Sequence, residues 1–479
     1  MFARIHIFCI VLFSLLLTVP AGAEIVTTAS DQHSLSLTIY NSNLALIRDT
    51  RGIDVQAGRQ TLAFKEISSK IQPETAVLQG GAIDVLEQNY EYDLLSPESL
   101  LRKYVGRHIS LVRTRGDDDE EEYTVDAKVL SVAGGVVIKV EDHIETGLHG
   151  RVLYPNVPDN LREKPTLTML VENASEGKQQ LELSYLSGGL SWKADYIAKL
   201  NRAEDRIDLQ GWVTLNNSSG TSYGNAKLQL VAGDVHRVKT GRERMAPVAS
   251  RMLESRSGAP QQDMQRESLF EYHLYTLERP TTILENQSKQ VALLQENNGI
   301  CSKHLVLRAP HSNYYWNKVG EIARGVGVGV FLHMKNDTAS NFGSPKPAGT
   351  VRVYKEDGSG FLQFIGEDSI DHTPENETIK IQLGKAFDVT ADRIQTDFSV
   401  VRGRNNAQRI YESEYRLTLE NAKDEPVMVR VEENIPGDWQ IISESQPHTK
   451  ENALTVSWPV HVAAKGSASL EYRVRQIMQ

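Results

Sequence analysis

The chain has 479 residues, with 62 Asp and Glu against 52 Lys and Arg, for a formal net charge of −10. That length exceeds what one hydrophobic core serves and points to about three or four domains. An acidic surface repels phosphate backbones, and no basic run or stacking platform offsets it, which argues against nucleic acid as a partner.

Residues 1–23 carry the parts of a secretory leader: Arg4, an apolar stretch from Ile5 to Leu17 broken by His6 and Ser14, then Pro20 and Ala21-Gly22-Ala23. Cleavage is predicted before Glu24. The apolar stretch is shorter than the ~20 residues that span a bilayer, and no later run reaches that length. The mature chain is therefore expected to have no integral membrane segment and to reside in the periplasm or outside the cell. Cys9 leaves with the leader, so Cys301 alone remains and no intramolecular disulfide can form. With no companion cysteine, Cys301 reads as a buried, idle thiol rather than a nucleophile.

Alternation of apolar and polar residues dominates the chain beyond the leader and places successive side chains on opposite sheet faces. Residues 24–95 read as an N-terminal β domain, with Leu35-Ser36-Leu37-Thr38-Ile39 as its clearest strand. Residues 96–160 read as a small barrel-like β unit. It opens at Ser96-Pro97-Glu98-Ser99, where a Ser cap and a Pro at the first helical position start a short helix. Strands are predicted at 108–113, 123–132 and 135–141. The acidic run Asp117 to Glu122 lacks the spaced ligands and glycine of a calcium loop, and reads as a solvated hairpin tip.

Residues 161–400 read as a central β-sandwich region. In its strand from Ser191 to Leu200, Trp192, Ala194 and Tyr196 share one face while Lys193 and Asp195 share the other. Alternating aromatics serve a carbohydrate platform or a sheet core, and the core is the better fit because these rings bury large areas. Residues 240–266 interrupt the pattern with Arg, Met, Ser, Pro, Gly and Gln and read as a disordered insertion, an inert linker or a segment that folds on a partner. Gly325-Val326-Gly327-Val328-Gly329-Val330-Phe331 lacks the Lys-Ser/Thr ending of a phosphate loop, so it reads as a strand with a backbone-close face. Val351–Tyr354 and Phe361–Ile365 flank Glu356-Asp357-Gly358, a hairpin signal in which Asp-Gly is expected to supply the positive φ. Residues 401–479 alternate again over about six short strands and suit an immunoglobulin-like or fibronectin-like sandwich.

No motif assigns a catalytic residue, and none marks a cofactor or metal site. Glu367, Asp368, Asp371 and His372 crowd one predicted surface loop, and Glu141, Asp142, His143, Glu145 and His149 crowd another. Either group transfers protons or binds metal only if folding brings its members together in a cleft. A glycoside hydrolase needs two carboxyl groups about 5–9.5 Å apart, and Asp195, Asp234, Glu367, Asp368 and Asp371 are the candidates for such a pair.

Tyr40 to Arg48, Leu190 to Tyr196, Val231 to Val235, and Gly349 to Glu367 together resemble a bacterial exported family of unknown function that is distantly related to mucoidy inhibitor A. The chain lacks that protein's long helical insertion, since 96–154 reads as β structure. The resemblance implies no catalytic residue. The expectation is thus an all-β or β-dominated envelope protein of several antiparallel sandwich or small-barrel modules. It binds or scaffolds envelope proteins or polysaccharide, and the alternative is a polysaccharide hydrolase with paired carboxylates.

Overall fold

The computed structural model describes residues 24–115, 121–158, 161–233, 235–236, 264–308, 314–402 and 409–478. Residues 1–23, expected as a leader, the acidic run up to Glu120, Asp234 and most of the expected insertion lie outside them. The fold is β-dominated as expected: among the described residues 67% are strand and 4% helical. It divides into two units: Met1–Ser191 with Asn216–Gln229 and Arg279–Gln287, and Trp192–Leu215 with Leu230–Glu278 and Ser288–Gln479.

In the first unit, a four-stranded sheet runs in the order Ile25–Thr27, Gly58–Lys65, Thr166–Asn173, Ile83–Glu91. Leu62, Phe64, Leu167 and Met169 from its two central strands are at most 1% exposed. A second sheet places Gln32–Tyr40, Leu44–Val55, Gly177–Ser187 and Val77–Gln79 side by side, flanked by residues 223–229. The first two strands form a hairpin across residues 41–43, where Asn43 takes φ 51°, a region Asn tolerates. Gly189 sits at φ 83°, and a Cβ there would fall 2.6 Å from the Ser219 Cα, so only glycine lets these backbones approach.

The short helix forms as the sequence predicts, over Pro97–Lys103. The Ser99 amide donates to the Ser96 hydroxyl and the Ser96 amide to the Ser99 hydroxyl. It closes one side of a core made by Leu101, Tyr104, Ile109, Leu111, Val129 and Ile138. The accompanying sheet runs His143–Thr146, Val137–Val140, Glu121–Ser131, His108–Arg115, Arg151–Leu153. It is an open sheet, not the small barrel expected for 96–160. Its outermost strands are only 4 and 3 residues long and lie at opposite edges, whereas closure requires the two edges to pair.

The second unit is built on long antiparallel strands: Gly320–Lys335, Thr378–Arg402, Arg409–Asn421, Gly466–Met478 and Asp438–Glu444 pair in that order. Val427–Asn434 runs antiparallel to Thr455–Val462 and parallel to the end of Gln287–Arg308. Leu305, Leu417, Leu419, Val429, Val431, Trp458 and Leu470 fill the core. Leu190–Leu200 runs parallel to Gly349–Glu356, and Gly349 is required there because a Cβ would fall 2.2 Å from the Ala194 carbonyl oxygen. Gly349–Glu356 then pairs with Leu362–Ile370 in the expected hairpin. The turn is made differently from the expectation. Gly360 takes the positive φ of 84°, and the Asp357 carboxylate accepts from the Ser359 and Phe361 amides.

Trp192, Ala194 and Tyr196 are at most 2% exposed, which makes their face a core rather than a sugar platform. Cys301 is buried, and burial raises its thiol pKa to about 11, consistent with an inert side chain. Residues 264–266, expected within the insertion, instead open the strand Met264–Leu269.

Candidate functional site

The structure brings together two of the five candidate carboxylates. Arg352 Nη1 donates to Asp195 Oδ1 at 3.1 Å while its Nε lies 3.1 Å from Glu367 Oε2. Asp195 is 7% exposed and its other oxygen accepts from Thr214 Oγ1 at 2.7 Å. Glu367 and Asp368 sit on the strand Leu362–Ile370 rather than on a surface loop, and adjacent strand positions send them to opposite faces. Asp368 is occupied differently, accepting from the Gln382 and Ser369 amides. Asp371 and His372 follow that strand, with His372 Nδ1 accepting from the Ala348 amide at 3.2 Å. In the other cluster Glu145 pairs with Arg113 at 2.5 Å. Among the described residues, no group of three or more His, Cys, Asp and Glu is arranged to hold a metal ion.

A recess in the first unit gathers polar side chains that were not among these candidates. Along Leu44–Val55, Ile47, Asp49, Arg51, Ile53 and Val55 alternate onto one face, and all are at most 4% exposed. Strand phase thus carries a carboxylate and a guanidinium into the interior with their apolar neighbours. Arg51 Nε and Nη2 both donate to Asp49 Oδ2, at 2.9 and 2.8 Å, and the second Asp49 oxygen accepts from Gln32 Nε2 at 2.8 Å. The remaining face of Arg51 donates to the Thr27 and Lys65 carbonyls, and its guanidinium carbon lies 5.5 Å from the Phe64 ring centre. A buried pair is tolerated only when its remaining donors and lone pairs are satisfied in this way.

This pair forms part of the floor of a recess of about 510 Å³, within the range of small-ligand sites. Tyr185 and Tyr223 also line it. The Ser68 amide donates to the Tyr185 hydroxyl, and the Tyr223 hydroxyl donates to Ser219 Oγ at 2.9 Å. Burial pushes the Tyr223 phenol up to about 12 and Tyr185 well above its ordinary range, so both stay neutral. The rim is held by its own main chain. The Ala29 amide donates to Glu66 Oε2 at 3.0 Å, the Gly220 amide to Glu285 Oε2 at 2.9 Å, and Thr221 Oγ1 to the Glu66 carbonyl at 3.1 Å. The result is a polar recess in which Asp49 pairs with Arg51, Glu66 and Glu285 accept from main-chain amides, and Lys164 adds a further cation to the lining.

Such a recess presents shape and a hydrogen-bonding pattern to a ligand. Glu145, Glu204, Asp337, Asp357, Asp397 and Glu451, the carboxyl groups with displaced pKa values, all move downward. Arg113 holds down Glu145, and Arg473 holds down Asp397; Lys303 and Lys355 outweigh the opposing burial of Glu204.

The second unit holds a pH-responsive pair. His304 and His333 stack with ring centres 4.1 Å apart, and both pKa values fall, His333 to about 4. Burial is the main cause, followed for His333 by His304 itself and by Lys380 and Arg430. Because the folded state resists protonation, the unfolded chain binds more protons between about pH 4 and 6.5, and stability falls as pH drops through that window. His333→Phe is expected to flatten this dependence. Allowing for screening of the partly exposed ring, the difference between wild type and variant should change by roughly 1 kcal/mol between pH 7.5 and pH 5. Parallel pH profiles in denaturant titrations would contradict the assignment.

Residues 181–476 match the family model of a domain of unknown function, DUF4139. The match spans well over half of the chain and includes Tyr185, Thr221, Tyr223 and Glu285 of the recess, whereas Asp49 and Arg51 precede it. No curated protein matches the chain.

Proposed function

The chain belongs to the DUF4139 family, and from that premise we propose that it is an exported cell-envelope protein that works by binding, with the recess of its first unit as the ligand seat. The leader pattern of residues 1–23 supports the address. The resemblance of segments 40–48, 190–196, 231–235 and 349–367 to an exported family is the ground on which we add a distant relationship to mucoidy inhibitor A. The observation that carries the binding reading is the hydrogen-bonded Asp49–Arg51 pair, which fixes a polar surface in the lining of the recess. Envelope polysaccharides and envelope proteins offer neutral hydroxyl and amide groups for the other polar groups that line the recess to meet.

The second reading, a polysaccharide hydrolase, draws on the meeting of Asp195 and Glu367 at Arg352. One experiment separates the two. A photo-crosslinking residue at Thr221, on the recess rim, is expected to capture in intact cells a species that the same residue at the 95% exposed Phe387 does not. Identical capture at both positions would remove the recess from the proposal. Incubating pure protein with the captured polymer should leave its chain length unchanged. Shortening that Glu367→Gln abolishes would establish hydrolysis instead.

A further inference from the structure

In the second unit, a buried lysine, a buried carboxamide and a carboxylate meet at one point. Lys346 has a side chain 0% exposed, Asn336 is 0% exposed, and Glu296 is 9% exposed. Lys346 Nζ donates to Asn336 Oδ1 at 2.6 Å and to the Ser344 carbonyl at 3.1 Å, and lies 2.9 Å from Glu296 Oε2. The carboxamide is clamped as well. Its Nδ2 donates to the Ser344 and Pro374 carbonyls at 3.0 and 2.8 Å, and its Oδ1 accepts from the Gly343 amide at 3.1 Å. Glu296 is oriented by the Ser344 amide, which donates to its Oε1 at 3.3 Å, and the Phe342 ring centre lies 5.2 Å from Nζ.

These are the parts of an intramolecular acyl transfer: an amine in a dry site, a carbonyl polarised by a backbone amide, and a carboxylate within reach of the amine. We propose that Lys346 and Asn336 join in an isopeptide bond, with Glu296 carrying the proton. Glu296 takes a proton from the Lys346 ammonium, and the free amine attacks Asn336 Cγ. Negative charge builds on Oδ1, where the Gly343 amide holds it. The Nζ–Cγ bond forms, Glu296 returns the proton to Nδ2 as the Cγ–Nδ2 bond breaks, and Glu296 then takes the second proton from Nζ and passes it to the released ammonia. The lysine ammonium and the carboxamide become a secondary amide and an ammonium ion, so atoms and charge balance without a further reactant. Burial lowers the Lys346 pKa against the pull of Glu296, which favours the nucleophilic form. The amide product also removes a charge from the interior, where an ammonium is costly.

The bond is tested by mass, independently of any ligand. Trypsin cuts after Lys335 and Arg352 but not at the Lys346–Pro347 bond, so both residues fall in the peptide 336–352. In wild type that peptide is expected to be about 17 Da lighter than its sequence, the mass of ammonia. Fragmentation should yield no break between Asn336 and Lys346 that separates the two ends. Lys346→Met and Glu296→Gln should each give the full sequence mass. A wild-type peptide at full mass overturns the proposal, and this measurement needs no variant to fold. A loss that persists in Lys346→Met marks a succinimide at an asparagine and also overturns it. A loss that persists in Glu296→Gln overturns the role given to Glu296.

Discussion

Arg393→Met is expected to destabilise the second unit by about 3–5 kcal/mol, because it leaves the Glu433 carboxylate buried without its cation. Arg393 and Glu433 are each 2% exposed, with Nη2 to Oε1 at 3.0 Å. Burial opposes the guanidinium charge, but Glu433 and the surrounding tyrosines outweigh it and raise the Arg393 pKa. Tyr314 and Tyr472 donate their hydroxyls to the two Glu433 oxygens at 2.6 and 2.7 Å, Tyr415 lies 4.5 Å beneath the guanidinium, and Trp458 stacks on Tyr472 at 4.7 Å. Adding Glu433→Gln to Arg393→Met should restore a large part of the loss, since the amide carbonyl still accepts a tyrosine hydroxyl and no charge remains. All five tryptophans lie in the second unit, so fluorescence in a guanidinium titration reports its transition directly. A single-variant effect below about 1 kcal/mol would mean that the cluster tolerates an unpaired carboxylate and that its packing does not depend on the ion pair.

The same physics acts in the first unit, where it touches the proposed site. Arg51→Met should cost about 3–5 kcal/mol and, at a temperature where the variant remains folded, abolish capture at the recess rim. Arg51→Lys should behave nearly as badly, because an ammonium cannot bridge Asp49, the Thr27 carbonyl and the Lys65 carbonyl with one planar fork. The first unit contains no tryptophan, so calorimetry is the suitable measurement. Its transition should move down while that of the second unit stays in place. The double variant Asp49→Asn/Arg51→Met should regain stability but not capture, which separates a collapsed floor from a floor that has lost its polar pattern. Capture that survives Arg51→Met at wild-type strength would detach this pair from ligand recognition.

Asp49 and Arg51 escape a reading of the linear chain for a physical reason. Ile47-Arg48-Asp49-Thr50-Arg51 contains too many charges to look like a core strand, and the eye settles on the cleaner alternation of Leu35 to Ile39. The signal is present in the phase: Ile47, Ile53 and Val55 share parity with Asp49 and Arg51, so whatever buries the aliphatics buries the ion pair. Arg393 and Glu433 are harder, because each becomes intelligible only opposite the other, and 39 residues separate Tyr472 from Glu433 within the same cluster. Asp195 was legible as a strand residue facing away from Trp192, but its burial depends on Arg352 arriving from a parallel strand more than a hundred residues later.

Local information in the chain was sufficient for the β-dominated class, the capped helix at Ser96, the hairpin around Asp357, the core face of Trp192 and the inert setting of Cys301. These rest on strand period, turn chemistry and capping, which act over a few residues. Tertiary structure alone decided that the sheet of residues 108–153 stays open, that Glu367 lies on a strand beside Arg352, and which charges are neutralised in the interior. Those outcomes depend on pairing between segments far apart in the chain, and burial makes a charge tolerable only after its partner has arrived.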